Sequence, residues 1–70
     1  MSKLVSTTFK LQEDGKAQAL IYETDDGWLI EYYDPRGSLI SSEQSWDGRP
    51  LQWAVDAAEN WAAGIKVLNG

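Results

Sequence analysis

The chain has no cysteine and no histidine. The first absence removes disulfides, thiolate metal sites and thiol nucleophiles together, and suits a reducing compartment. The second removes the usual general base and the commonest metal ligand. Ser41, Ser42 and Ser45 form a hydroxyl cluster, but no imidazole exists to activate it, and Lys3, Lys10, Lys16 and Lys66 fall at polar positions. No glycine-rich phosphate loop is present. No apolar run approaches the roughly 20 residues of a membrane span, and the opening "MSKLVSTTFKLQ" has no apolar stretch of signal-peptide length. These absences predict a cytoplasmic, non-catalytic protein with no cofactor, no metal and no membrane partner.

What is present argues for a packed core. Seventy residues make one domain, 1–70, and a chain this short buries only roughly 60% of its unfolded surface, so each large side chain matters. Four tryptophans and three tyrosines are expected to replace the staples on which many mini-domains depend. The net charge of −5 is unevenly spread. Residues 1–12 carry only Lys3 and Lys10, whereas Glu13, Asp14, Glu23, Asp25, Asp26, Glu31 and Asp34 stand against Lys16 alone. Such a field repels phosphate backbones and attracts basic protein surfaces, and it also keeps small domains in solution.

Three punctuation marks divide the first two thirds: "EDG" at 13–15, "DDG" at 25–27 and "DPRG" at 34–37. Asp-Gly favours hairpins, and Asp-Pro-X-Gly favours a type I turn followed by a left-handed glycine. Strands are therefore expected at about 3–12, 17–24, 28–33 and 38–45. Short turns make consecutive strands antiparallel neighbours, giving a four-stranded meander. With a three-residue Asp25-Asp26-Gly27 loop and a two-residue Asp14-Gly15 turn, Tyr22 opposes Ile30, Leu20 opposes Tyr32 and Phe9 opposes Leu20. One face then collects Val5, Phe9, Leu11, Leu20, Tyr22, Trp28, Ile30, Tyr32 and Ile40. A helix is expected over about 49–68, starting at Pro50 and stopping near Asn69 and Gly70. Its apolar arc is Leu51, Ala54, Val55, Ala58, Trp61, Ala62, Ile65 and Leu68. The expected fold class is α+β, with the order ββββα and the helix on one sheet face.

One helix covers one face of such a sheet. The same register leaves Leu4, Ala19, Ile21, Leu29, Tyr33 and Leu39 on the other, interrupted by Glu23 and Glu31, and a contiguous apolar patch argues for pairing through faces or strand edges. Trp53 lies off the helix's apolar arc, and its readings are local cover, an anchor for a partner, or ligand stacking. The candidate association residues are thus Trp53, Ile21, Leu29, Tyr33 and Leu39. Glu23, Asp25, Asp26 and Glu31 are the candidate acidic surface; the turn carboxylates lack the spacing of a metal loop.

The expected function is a small acidic protein-interaction module that forms a homodimer and binds or modulates another protein, one with a basic surface. The alternative is single-strand nucleic-acid binding. In element order alone the chain resembles the dimeric single-strand-binding domains of the Whirly and PUR kinds, and Tyr33 with Leu29 and Leu39 on the open face would be the surface on which bases stack. That resemblance implies a face lined with Lys and Arg, whereas Glu23 and Glu31 are expected on this one.

Overall fold

A computed structural model describes residues 2–45 and 48–67. Four strands, β1 (Lys3–Gln12), β2 (Gly15–Thr24), β3 (Gly27–Tyr33) and β4 (Leu39–Gln44), precede one helix, α1 (Leu51–Ala62). The strands form a single antiparallel sheet in the order β1-β2-β3-β4. This is the expected ββββα arrangement.

The turns differ from expectation by small steps with large consequences. Thr24 pairs with Gly27, so the β2–β3 loop is Asp25-Asp26, and Gln12 pairs with Gly15 around Glu13-Asp14. No residue other than glycine has a positive φ among the described residues, while Gly15 and Gly27 sit at φ 134° and 142°. The acidic pair makes each turn at negative φ, and the glycine belongs to the strand that follows. A side chain at Gly27 would also meet the backbone oxygen of Ser45 at 2.5 Å. The third turn follows the expected design. Gly37 donates to the Asp34 carbonyl at 3.0 Å, and the Asp34 carboxylate accepts from the amides of Arg36 and Ser38, both at 2.9 Å.

A two-residue β2–β3 loop slides the pairing by one residue. Ile21 opposes Ile30 and Ala19 opposes Tyr32, in place of the Tyr22–Ile30 and Leu20–Tyr32 pairs. Phe9 opposes Gln18, and Tyr32 opposes Ser41. Because strand side chains alternate, this slip exchanges the two faces of β1 and β2 relative to β3. Ala17, Ala19 and Ile21 join Ile30 and Tyr32 under the helix, all with no exposure. Phe9, Leu11, Leu20 and Tyr22 turn to the opposite side.

The helix begins at Leu51 with Pro50 as its N-cap, whose extended backbone (φ −70°, ψ 159°) suits the ring. Ala54, Ala58 and Trp61 face the sheet and are buried; Val55 and Ala62 flank them, partly buried. Small residues on both sides, Ala17 and Ala19 below and Ala54 and Ala58 above, let the two layers approach closely. Trp61 fills the space that remains. Its ring meets Tyr32 edge-on at 5.1 Å, and the Lys10 ammonium lies 5.3 Å from its centre.

The helix stops earlier than expected. Gly64, at φ 82°, donates to the Trp61 carbonyl at 3.1 Å, and Ile65 donates to Asn60 at 2.8 Å. That pair of bonds is a Schellman termination with Gly64 in the left-handed position. Ile65 is therefore not part of the buried arc but 74% exposed. Leu68, Asn69 and Gly70 lie outside the described residues.

Candidate interaction surface

Pairing register places Leu4, Thr7, Phe9 and Leu11 of β1 on the face away from α1. Beside them lie Lys16, Gln18, Leu20 and Tyr22 of β2, then Leu29, Glu31 and Tyr33 of β3, and Leu39, Ser42 and Gln44 of β4. Two contacts between side chains confirm the assignment. The Lys16 ammonium sits 5.8 Å from the Phe9 ring centre, and the Tyr33 hydroxyl donates to Glu31 Oε1 at 3.0 Å. The latter bond, with some burial and the nearby Glu31 and Tyr22 charges, holds the Tyr33 phenol above its ordinary pKa of 10.0.

No described element covers this face. Leu11 is 79% exposed, Phe9 56% and Leu39 55%, while Leu20, Tyr22, Leu29 and Tyr33 shield one another in part. The apolar group runs across all four strands, larger than the scattered apolar residues of an ordinary surface. Lys16 and Glu31 are the charged side chains that register places on it, so the face itself carries no net charge.

Acidic groups gather elsewhere and in two places. Glu13 and Asp14 occupy the β1–β2 turn, and Asp25 and Asp26 the β2–β3 turn, at opposite ends of the sheet. Glu23 pairs with Lys3 on the helix side and is exposed. The acids between residues 13 and 34 thus do not form one row. The described residues contain no group of His, Cys, Asp or Glu arranged to hold a metal ion.

Trp53 is half-buried on the flank of α1. It packs against the core, and the Arg49 guanidinium covers its ring at 5.6 Å. With Asp56, Ala57, Asn60, Ile65 and Lys66 it lines a surface cleft of about 310 Å³. On the sheet beside that flank, Glu43 Oε1 accepts the Tyr32 hydroxyl at 2.6 Å and Oε2 pairs with Lys66 at 3.2 Å. Burial first, and then Glu43, push the Tyr32 phenol far above 10.0. The basic side chains do not converge: Lys10 lies over Trp61, Arg49 over Trp53, and Arg36 sits in the β3–β4 turn.

Of the residues expected to mediate association, Leu29, Tyr33 and Leu39 share the open face. Ile21 does not: it is fully buried beneath α1, because the two-residue turn reverses β2 relative to β3. Trp53 lies on the helix, away from that face. Glu31 stays on the open face, and Glu23 moves to the covered side. Sequence reasoning missed Phe9, Leu11, Leu20 and Tyr22 as open-face residues, having assigned them to the core. No protein-family model, curated protein or solved structure matches this chain. Among the described residues no helix is long and apolar enough to cross a membrane.

Proposed function

We propose that the protein is a small, non-catalytic interaction module that self-associates through its open sheet face and, in that form, binds or modulates another protein. One observation carries the reading: a four-stranded face that no described element covers, with Phe9, Leu20, Tyr22, Leu29, Tyr33 and Leu39 on it and no net charge. A second copy suits this face electrostatically. Apart from Glu31, which Lys16 balances on the face, the chain's negative charge sits at the turns and on the helix side, so two faces meet without net repulsion. Strands spaced about 4.8 Å apart with about 3.3 Å per residue give a face of roughly 500 Å² in plan. Side-chain relief raises that toward the ~800 Å² per partner of a standard interface. The turn carboxylates Asp25, Asp26, Glu13 and Asp14 remain at the rim, where a basic protein surface is the complementary partner. A cytoplasmic setting fits a chain without cysteine.

The test is solution mass. Sedimentation of the wild type is expected to exceed the 7.8 kDa of one chain, and Leu29→Glu combined with Tyr33→Lys is expected to lower that mass. An unchanged profile in a folded double variant overturns the reading. A second reading, single-strand nucleic-acid binding, draws on Phe9, Tyr22 and Tyr33 as stacking platforms, although Lys16 is the lone cation that register assigns to that face. A salt-sensitive shift of a labelled oligonucleotide would favour it.

A further inference from the structure

We infer that the β1 edge is a second interface, one that pairs antiparallel with β1 of another copy and joins two four-stranded sheets into one. It is separate from docking of the open faces.

The two edges of the sheet are unlike. β4 is short and bulged at Ile40, and Lys66 is tied to its Glu43. These are the devices by which native sheets blunt an edge. β1 runs for 10 residues, and its bulge lies near its start, between Leu4 and Ser6. From Ser6 to Gln12 it has no bulge, no proline, and Lys10 as its one charge.

The backbone groups left open can be named. Ser45 donates to the Trp28 carbonyl at 2.9 Å, so the even-numbered residues of β3 turn their amides and carbonyls toward β4. Carrying that alternation across the register assigns Ser6, Thr8 and Lys10 to bonds with β2. The amides and carbonyls of Thr7, Phe9 and Leu11 then point outward.

Charge selects the occupant. The start of β1 carries Lys3, and the turn after it carries Glu13 and Asp14. Antiparallel pairing of two copies about Thr8 brings Lys3 of each toward Glu13 and Asp14 of the other. It sets Lys10 against Ser6, never against another cation. Parallel pairing would align like charges. Above the edge, the flank of α1 opposite Trp53 carries Leu51, 39% exposed, with Val55 and Ala62 partly exposed. Two such helices would lie on the same side of a joined sheet, flanking the new β1–β1 seam.

Amide hydrogen exchange on the wild-type chain reads this directly. Paired edges predict that Thr7, Phe9 and Leu11 exchange roughly a hundredfold more slowly than open amides, alongside Ser6, Thr8 and Lys10. Free exchange at Thr7, Phe9 and Leu11 beside protected neighbours overturns the proposal. The face variant carrying Leu29→Glu and Tyr33→Lys is expected to keep that protection. Its loss there would show that the open face, not the edge, shields these amides, and would also overturn the proposal. Conversely, protection that persists while the face variant leaves the mass unchanged supports the edge and removes the face. Lys3→Glu is expected to weaken edge pairing, and Glu13→Lys with Asp14→Lys in the same chain to restore it.

Discussion

On the side of the sheet under α1, Ala17, Ala19, Ile21, Ile30 and Tyr32 have no exposure; on the other, Phe9, Leu11 and Leu39 each show more than half their surface. Both sides come from the same strands and both are largely apolar. What separates them is the shape of what they meet. Alternating alanines and one tryptophan make a close, interlocked layer against α1, whereas Leu20, Tyr22, Leu29 and Tyr33 form a surface with no described element above it. The covered face therefore carries stability, and the open face is free to carry association.

The sharpest way to break this contrast is to empty the covered side. Trp61→Ala is expected to cost about 3 to 5 kcal/mol, enough to unfold much of a domain this small, as a fall in the thermal midpoint followed by circular dichroism. Gly27→Ala comes next, because a methyl group would strike the Ser45 carbonyl and φ 142° disfavours any side chain. A loss of about 2 to 3 kcal/mol is expected in urea titration, against about 1 kcal/mol for Gly48→Ala, which has open space around it.

Tyr32→Phe is expected to cost about 1 kcal/mol at neutral pH by removing the bond to Glu43. It also tests linkage. The folded Tyr32 phenol titrates above its ordinary 10.0, so its stabilising contribution is complete below pH 10 and is lost as pH rises beyond it. The variant should show a shallower alkaline loss of stability than the wild type; equal slopes would place the phenol's titration elsewhere. The smallest effect belongs to the open face. Phe9→Ser, measured in dilute solution, is expected to change stability by no more than about 0.5 kcal/mol. A large loss would mean that the face contributes to the fold of the single chain.

The turn sequences at 13–15, 25–27 and 34–37 located every hairpin, and the alanine-rich stretch after Pro50 located the helix. The candidate surface was less readable. Leu29, Tyr33 and Leu39 were assigned to it from sequence; Phe9, Leu20 and Tyr22 were exchanged with Ala19 and Ile21. Strand polarity normally tells inside from outside, but in β2 the residues Ala17, Ala19 and Ile21 alternate with Leu20 and Tyr22, and both sets are apolar. The end of α1 was misread because Gly64 inside a run of apolar spacing looks like a tolerated small residue until its left-handed φ is seen.

Sequence alone determined the number, order and antiparallel pairing of the elements, because turns and helix starts are local: Gly, Pro and Asp act within three or four residues of themselves. Which side of the sheet lies against α1 was decided only in three dimensions. That choice rests on one residue of loop length and on how closely two layers can approach. Both depend on the fit between Ala17, Ala19, Ala54, Ala58 and Trp61, residues from distant parts of the chain.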